Sequence, residues 1–339
     1  MASGLLLVSG SPLIGSPIIY KVTAANLSGE PSFHRIKITI SAGLQHGNYE
    51  SFEMSTPVNN GETVQVDISS ALRAVADDYF FTPEPPDSYP YVSFSLSACD
   101  DYMLNGELFE NMAPISNSGG RAIFGTYSDL ERLLAGDNKT TLNFTRKPIS
   151  PEIVCVGETY VRPRQMSVSI GNILQGPSSV VYNITQEGAQ SVAGAQLYAL
   201  PANQADRYLF RFINGLGCLE SLSVCSLRTT EISINTEQFN IAKPETFSSF
   251  ARGVVIKKND FEKWRFSSGP LDRLWQEWFL HEFIMARWVW INIEGSWIPC
   301  HVLPEETITG MNRTDGSMLE IMFSIQFDIT GSPFASLAI

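Results

Sequence analysis

The sequence predicts a mainly β protein: two antiparallel β-sandwich-like bodies, a few short helices and one buried aromatic helix near the C-terminus. Three observations carry this. Apolar and polar residues alternate at period two through the first third of the chain, one segment has the pattern of a β-hairpin, and all six tryptophans crowd into one C-terminal stretch. Period-two alternation is the pattern of a strand with one wet face.

In the first body, residues 1–115, Ile18, Tyr20 and Val22 alternate with Ile19, Lys21 and Thr23. Ile36, Ile38 and Ile40 do the same with Arg35, Lys37 and Thr39, followed by Val64, Val66 and Ile68, and then by Val92, Phe94 and Leu96. A serine at 69 or 70 is placed to cap a short helix from Ala71 to Ala76. The opening Leu5-Leu6-Leu7-Val8 has no preceding Lys or Arg and is stopped by Ser9-Gly10-Ser11-Pro12, so it reads as a strand rather than a secretory leader.

Residues 116–150 read as a connector. Ser118-Gly119-Gly120 is expected to be a flexible joint, and Ser128 to cap a helix through Leu134. The second body, 151–339, contains the hairpin 207–226. There Tyr208, Phe210 and Phe212 face one way, Asn214-Gly215-Leu216-Gly217 turns, and Leu222 and Val224 return. Asn-Gly is expected to supply the positive φ angles of a tight turn.

The tryptophan unit follows. A helix over 270–286, capped by Ser268 or Gly269, carries Leu271, Leu274, Trp275, Trp278, Phe279, Phe283 and Ile284 on a broad apolar stripe. A sheet from Trp288–Ile293, Trp297–Leu303 and a strand alternating through Leu319 to Ile329 is expected to receive it. The rings are read as interior packing, leaving surfaces rather than a cleft to do the work.

Composition narrows function. The net charge of -12 with only 17% charged residues disfavours nucleic acid and anionic membranes as partners. No stretch reaches the ~20 apolar residues of a bilayer span. The five cysteines lack zinc spacing and read as free thiols of a cytoplasmically made protein, with Cys218 and Cys225 alone placed to pair across a turn. His281-Glu282 lacks the second histidine of a zinc helix, since position 285 is Met285. Gly215-Leu216-Gly217 has Glu220 where a dinucleotide loop has its third glycine. The pairs Asp77-Asp78, Asp100-Asp101 and Glu305-Glu306 are weighed as calcium ligands or a glycosidase dyad, but nothing in the sequence brings them together. No catalytic, metal or cofactor residue is assigned, and the chain is read as a non-enzyme. Trp264 and Trp297, nearest the ends of the unit, are the rings expected to be exposed for partner or sugar contact, and Phe334 and Leu337 of the apolar tail are expected to dock on a neighbour.

Several segments together resemble structural tail proteins encoded by phages and prophages of Bacteroides-type bacteria. They are Val66-Asp67-Ile68-Ser69-Ser70-Ala71-Leu72-Arg73, the hairpin Phe210 to Glu220, and the succession Ser267-Ser268-Gly269-Pro270, aromatic helix, Trp297-Ile298-Pro299 and long terminal strand. The resemblance implies a virion part, a minor tail or baseplate component, made in the bacterial host cytoplasm. It implies other tail proteins as partners, assembly in a homo-oligomeric ring, and no cofactor. The alternative weighed beside it is a carbohydrate-binding adhesin that recognises a host surface glycan.

Overall fold

The computed structural model describes residues 5–10, 13–44, 47–77, 85, 89–126, 141–143, 147–148, 151–163, 167–169, 179–192, 194–202, 204–240, 253–304 and 318–327. Its architecture is mainly β, built of several sheets with few helices.

The first body runs through β1 (Leu5–Gly10), β2 (Ile18–Thr23), β3 (Phe33–Leu44), β4 (Tyr49–Pro57), β5 (Thr63–Asp67), α1 (Ser69–Asp77), β6 (Tyr91–Leu104) and β7 (Glu107–Ile123). A four-stranded antiparallel sheet, β4-β3-β6-β7, and a three-stranded one, β1-β2-β5, share one core. The alternating residues fill it: Ile18, Tyr20 and Val22, then Ile36, Ile38 and Ile40, then Val92, Phe94 and Leu96, roofed by Leu72 and Val75 of α1. Each such side chain, fully buried, is worth about 1.5–3 kcal/mol. The helix starts as expected but is held differently. Asp67 Oδ1 accepts from the Ser69 amide at 2.9 Å, while the Ser69 hydroxyl accepts from Arg73.

The expected joint at Ser118-Gly119-Gly120 is instead the interior of β7, with Gly120 opposite Phe94. The first body therefore extends past residue 115 to Ile123. Pairing to a long neighbour overrides the local flexibility of serine and glycine. The expected helix 128–134 lies outside the described residues.

Beyond it come β8 (Thr141–Asn143), β9 (Glu152–Cys155), β10 (Thr159–Pro163), β11 (Ser167–Ser169), β12 (Ser179–Asn183), β13 (Gly188–Val192) and β14 (Ala195–Leu200). They form small sheets, and β9 joins β14 in parallel. The remaining strands are β15 (Arg207–Ile213), β16 (Leu219–Cys225), β17 (Thr229–Asn240), β18 (Gly253–Leu271), β19 (Val289–Ile293), β20 (Ser296–Pro304) and β21 (Leu319–Phe327). They make a seven-stranded sheet in the order β16-β15-β19-β20-β21-β18-β17.

On that sheet lies a short helix α2 (Arg273–Trp278) that runs directly into a π-helical segment, Phe279–Ile284. The expected single helix 270–286 is thus shorter and of two kinds. Its cap is Asp272, whose Oδ1 accepts from the Trp275 amide at 3.0 Å, because Ser268, Gly269 and Pro270 are still in β18 at a bulge. Trp275, Trp278, Phe279, Phe283 and Ile284 of the expected stripe are buried in the core on the sheet, whereas Leu274 is 61% exposed and Leu271 still belongs to β18, because the helix begins only after the bulge. Phe210, Phe212, Phe266, Phe279, Phe283 and Phe323 pack with ring centroids 5.1–6.1 Å apart, mostly edge to face.

The 207–226 hairpin forms with β15 and β16, but its turn does not use Asn214-Gly215 at positive φ. The left-handed residue is Gly217, at φ +81. Asn214 organises the loop through its side chain, Oδ1 accepting from the amides of Leu216 at 3.0 Å and Cys218 at 2.8 Å. Cys218 is buried in this loop and Cys225 exposed at the end of β16, and both thiols are free.

A Cβ at Gly217 would sit 2.0 Å from the Phe124 carbonyl oxygen, whereas one at Gly295, equally left-handed at φ +87, meets open space. Gly295→Ala should therefore cost only backbone strain, about 1 kcal/mol. Gly217→Ala should cost that strain plus displacement of the Phe124 backbone, about 3 kcal/mol or more. Urea unfolding of both variants against wild type checks the difference.

Candidate functional site

The loop Asn214–Cys218 is where the two bodies meet. The Thr126 amide donates to the Gly215 carbonyl at 2.7 Å, and Leu216 and Cys218 join Leu13 and Ile123 in a small apolar cluster. Trp288 leans over Phe124 at 5.0 Å between centroids and packs against the core of the first body.

Behind the loop lies a buried ionic group. Glu220 on β16 is fully buried, its Oε1 accepting from Asn214 Nδ2 at 2.8 Å and its Oε2 from Trp278 Nε1 at 3.2 Å. Glu282, on the π-helical segment and 1% exposed, accepts from the Gly215 amide at 2.7 Å. Lys147 donates to the Ser221 carbonyl at 2.7 Å and pairs with Glu152 at 2.8 Å, its ammonium 4.8 Å from the Trp278 ring centroid. Tyr160 donates to Glu152, and Arg162 donates to the carbonyls of Lys147 and Pro148.

Burial pushes the Glu220 carboxyl up to about 7. Lys147 opposes that rise, the neighbouring Glu282 charge adds to it, and Asn214 and Arg162 oppose it. Burial also raises the Cys218 thiol well above its ordinary value, with Glu220 and Glu282 adding to the effect. Burial, and then Glu152, raises the Tyr160 hydroxyl.

In front of the same loop opens a cleft of about 820 Å³ between the bodies. Phe124, Trp278 and Trp288 line it together with Arg73, His281, Glu282 and Arg287. This departs from the expectation that the tryptophan rings serve only as interior scaffold. The π-helical geometry turns Phe279 and Phe283 into the sheet while His281 and Met285 face outward, so one segment both fills the core and walls the cleft.

Trp264, expected to be exposed, is buried, with the Arg228 guanidinium 4.0 Å from its ring centroid and Phe327 edge-on at 4.8 Å. Flanking strands on both sides of β18 enclose it. Trp297 is half-buried on β20, with Arg211 4.3 Å from its ring centroid. Neither ring borders the cleft. Phe334 and Leu337 lie outside the described residues.

The acidic pair on β6 is structural. Asp100 accepts from His34 at 2.9 Å and from the Ala25 amide, while Asp101 binds Arg35 and the Asn111 amide. Asp78, Glu305 and Glu306 lie outside the described residues. Among the described residues no three His, Cys, Asp or Glu side chains are grouped to hold a metal ion.

Sequence reasoning named Glu220 and Glu282 only in rejecting a dinucleotide loop and a zinc helix, and passed over Lys147. The one signal for the first two was their setting: an acid in a strand otherwise running Leu219, Ser221, Leu222, and another inside an aromatic stripe.

The raised carboxyl of Glu220 has a definite sign. Its neutral form is favoured in the fold, so this contribution to stability is full below the ordinary carboxyl value of 4.5, falls as pH rises to about 7, and is level above that. Glu220→Gln should flatten that segment of the stability curve, read as the difference from wild type in urea unfolding at pH 5 and pH 8. Lys147→Met removes the cation that opposes the rise, so it should move the falling segment to higher pH. It should also lower overall stability by about 3–5 kcal/mol, since Glu152 loses its buried partner.

No protein-family model, characterised protein or solved structure matches the chain, so the reading of this junction rests on its own geometry.

Proposed function

We propose that the chain is a structural subunit of a phage tail or baseplate, acting through contacts with neighbouring subunits. The observation that carries this reading is the β17–β18 ribbon. Among the described residues β18 pairs with β21 over Lys263 to Leu271, while its pairing with β17 runs on from Arg265 to Gly253. Among the described residues the two strands thus run on beyond the rest of the seven-stranded sheet as an antiparallel ribbon, with β17 at the edge. A two-stranded ribbon alone is marginally stable in water and its open edge is a template for further pairing. The sequence of β17, Thr229 to Asn240, has neither the proline nor the lysine by which natural edges are usually blunted. A ribbon of this kind suits an arm that is completed by a neighbour in an assembly. The resemblance of the hairpin and aromatic unit to phage tail proteins points the same way.

The glycan-binding alternative rests on open aromatic faces. Trp264 has none, and Arg211 covers one face of Trp297.

Tail particles purified from a producing strain should contain the chain in constant ratio to the other tail proteins, by quantitative mass spectrometry. A variant in which the ribbon is cut back to Thr236 and Lys258 and closed with an Asn-Gly turn should melt as wild type does and fail to enter particles. Particles that lack the wild-type chain would refute the reading.

A further inference from the structure

The β6–β7 hairpin ends in a tight two-residue turn, Asn105 at φ 52 and Gly106 at φ 82, which projects as a finger. Its tip is stiff: Phe109 stacks on Tyr102 at 5.1 Å, and the Asn111 amide donates to buried Asp101 at 2.7 Å. Its surface is apolar and acidic. Leu108 is 51% and Met112 38% exposed, and Glu107 and Glu110 are exposed beside them. Between Tyr102 and Gly120 these two glutamates are the charged residues, with no lysine or arginine.

The cleft carries the complement. Arg73, hydrogen-bonded to Ser69, and Arg287 stand exposed at its rim, and Leu274 and Met285 expose 61% and 75% of their surface there. Of the acids lining it among the described residues, Glu277 pairs with Arg273 at 3.1 Å and Glu282 is buried under the Gly215 amide, while the Arg287 guanidinium lies 5.2 Å from the Trp288 ring centroid. In a chain of net charge -12, copies repel one another unless local charges are matched, so a basic rim and an acidic finger of similar apolar character select each other.

The two patches cannot meet within one molecule. β6 is 14 residues long and its Tyr91 end adjoins Ile123, next to the cleft, while the finger is at the other end. At ~3.3 Å per residue that is a separation of roughly 40 Å.

We propose that the finger of one copy docks in the cleft of the next, the glutamates meeting Arg73 and Arg287 and the side chains of Leu108 and Met112 covering Leu274 and Met285. Different patches at opposite ends make the contact head to tail, and it propagates into a ring or filament rather than closing as a two-fold dimer. This rests on the assembly reading above and names its partner as a second copy of the chain.

The test uses charge reversal on the full chain. Glu107→Arg/Glu110→Arg reverses the finger and Arg73→Glu/Arg287→Glu reverses the cleft, all at exposed positions, with circular dichroism and melting as controls for fold. By analytical ultracentrifugation each reversed protein alone should self-associate at least about tenfold more weakly than wild type. Mixed one to one, they should associate again, because each finger then faces a cleft of opposite sign. Reversed proteins that associate like wild type, or a mixture that does not recover, overturn the inference. So does a wild type that remains monomeric at about 100 µM, where a micromolar contact would be saturated. If that monomeric protein still enters tail particles, the proposed function stands and only the finger-to-cleft contact falls.

Discussion

The close approach of the Asn214–Cys218 loop to the strand leaving the first body is the constraint on which the rest of the structure depends. Gly217 lets the loop backbone come within reach of Phe124, and Thr126 then donates to Gly215. A side chain at either Gly217 or Gly125 would force the two backbones apart, so main-chain approach sets how closely the bodies pack, with side chains such as Leu216 and Trp288 filling in around it. Everything behind the loop serves to hold it. Asn214 folds it, Glu282 grips its Gly215 amide, and Glu220 fixes Asn214 and Trp278 at once.

Holding the loop in this way requires burying charge. Three carboxyls, a lysine and an arginine are taken out of water in the same region, and each is met by donors, acceptors or an opposite charge, which is the condition under which such burial is tolerated. A buried network of this kind offers little net stability over apolar packing, but it is directional. It accepts one arrangement of loop, helix and connector, and a shifted arrangement leaves a charge unpaired. The junction is therefore geometrically defined at the cost of a carboxyl, Glu220, that is easily protonated.

The cleft and the finger both follow from this frame. The π-helical segment must turn Phe279 and Phe283 into the sheet while placing Glu282 under the loop, which leaves His281, Met285 and Arg287 on the outside facing the first body. The long β6–β7 hairpin is anchored beside the junction at Tyr91 and Ile123, and its length alone carries the acidic tip to the far end. The β17–β18 ribbon leaves the other sheet in the same fashion.

Much of the fold was legible along the chain. Alternation at period two named β2, β3, β5, β6 and β21, because a strand with one buried face must write that face into its sequence. The β15–β16 hairpin and most of the aromatic stripe were equally local, each specified within a stretch of about twenty residues. The joint at 118–120, the helix cap and the turn conformation were misjudged for a common reason. Serine, glycine and asparagine permit several local structures, and distant partners chose among them: Phe94 for Gly120, β21 for the Ser268 region, Phe124 for Gly217. The candidate site was illegible because Lys147, Glu220 and Glu282 lie far apart in sequence and form no motif. Sequence by itself determined the class of structure, which depends on which faces are apolar. Only tertiary packing decided the junction, its buried charges and its cleft, because those depend on which backbones can approach within hydrogen-bonding distance, and no single segment carries that information.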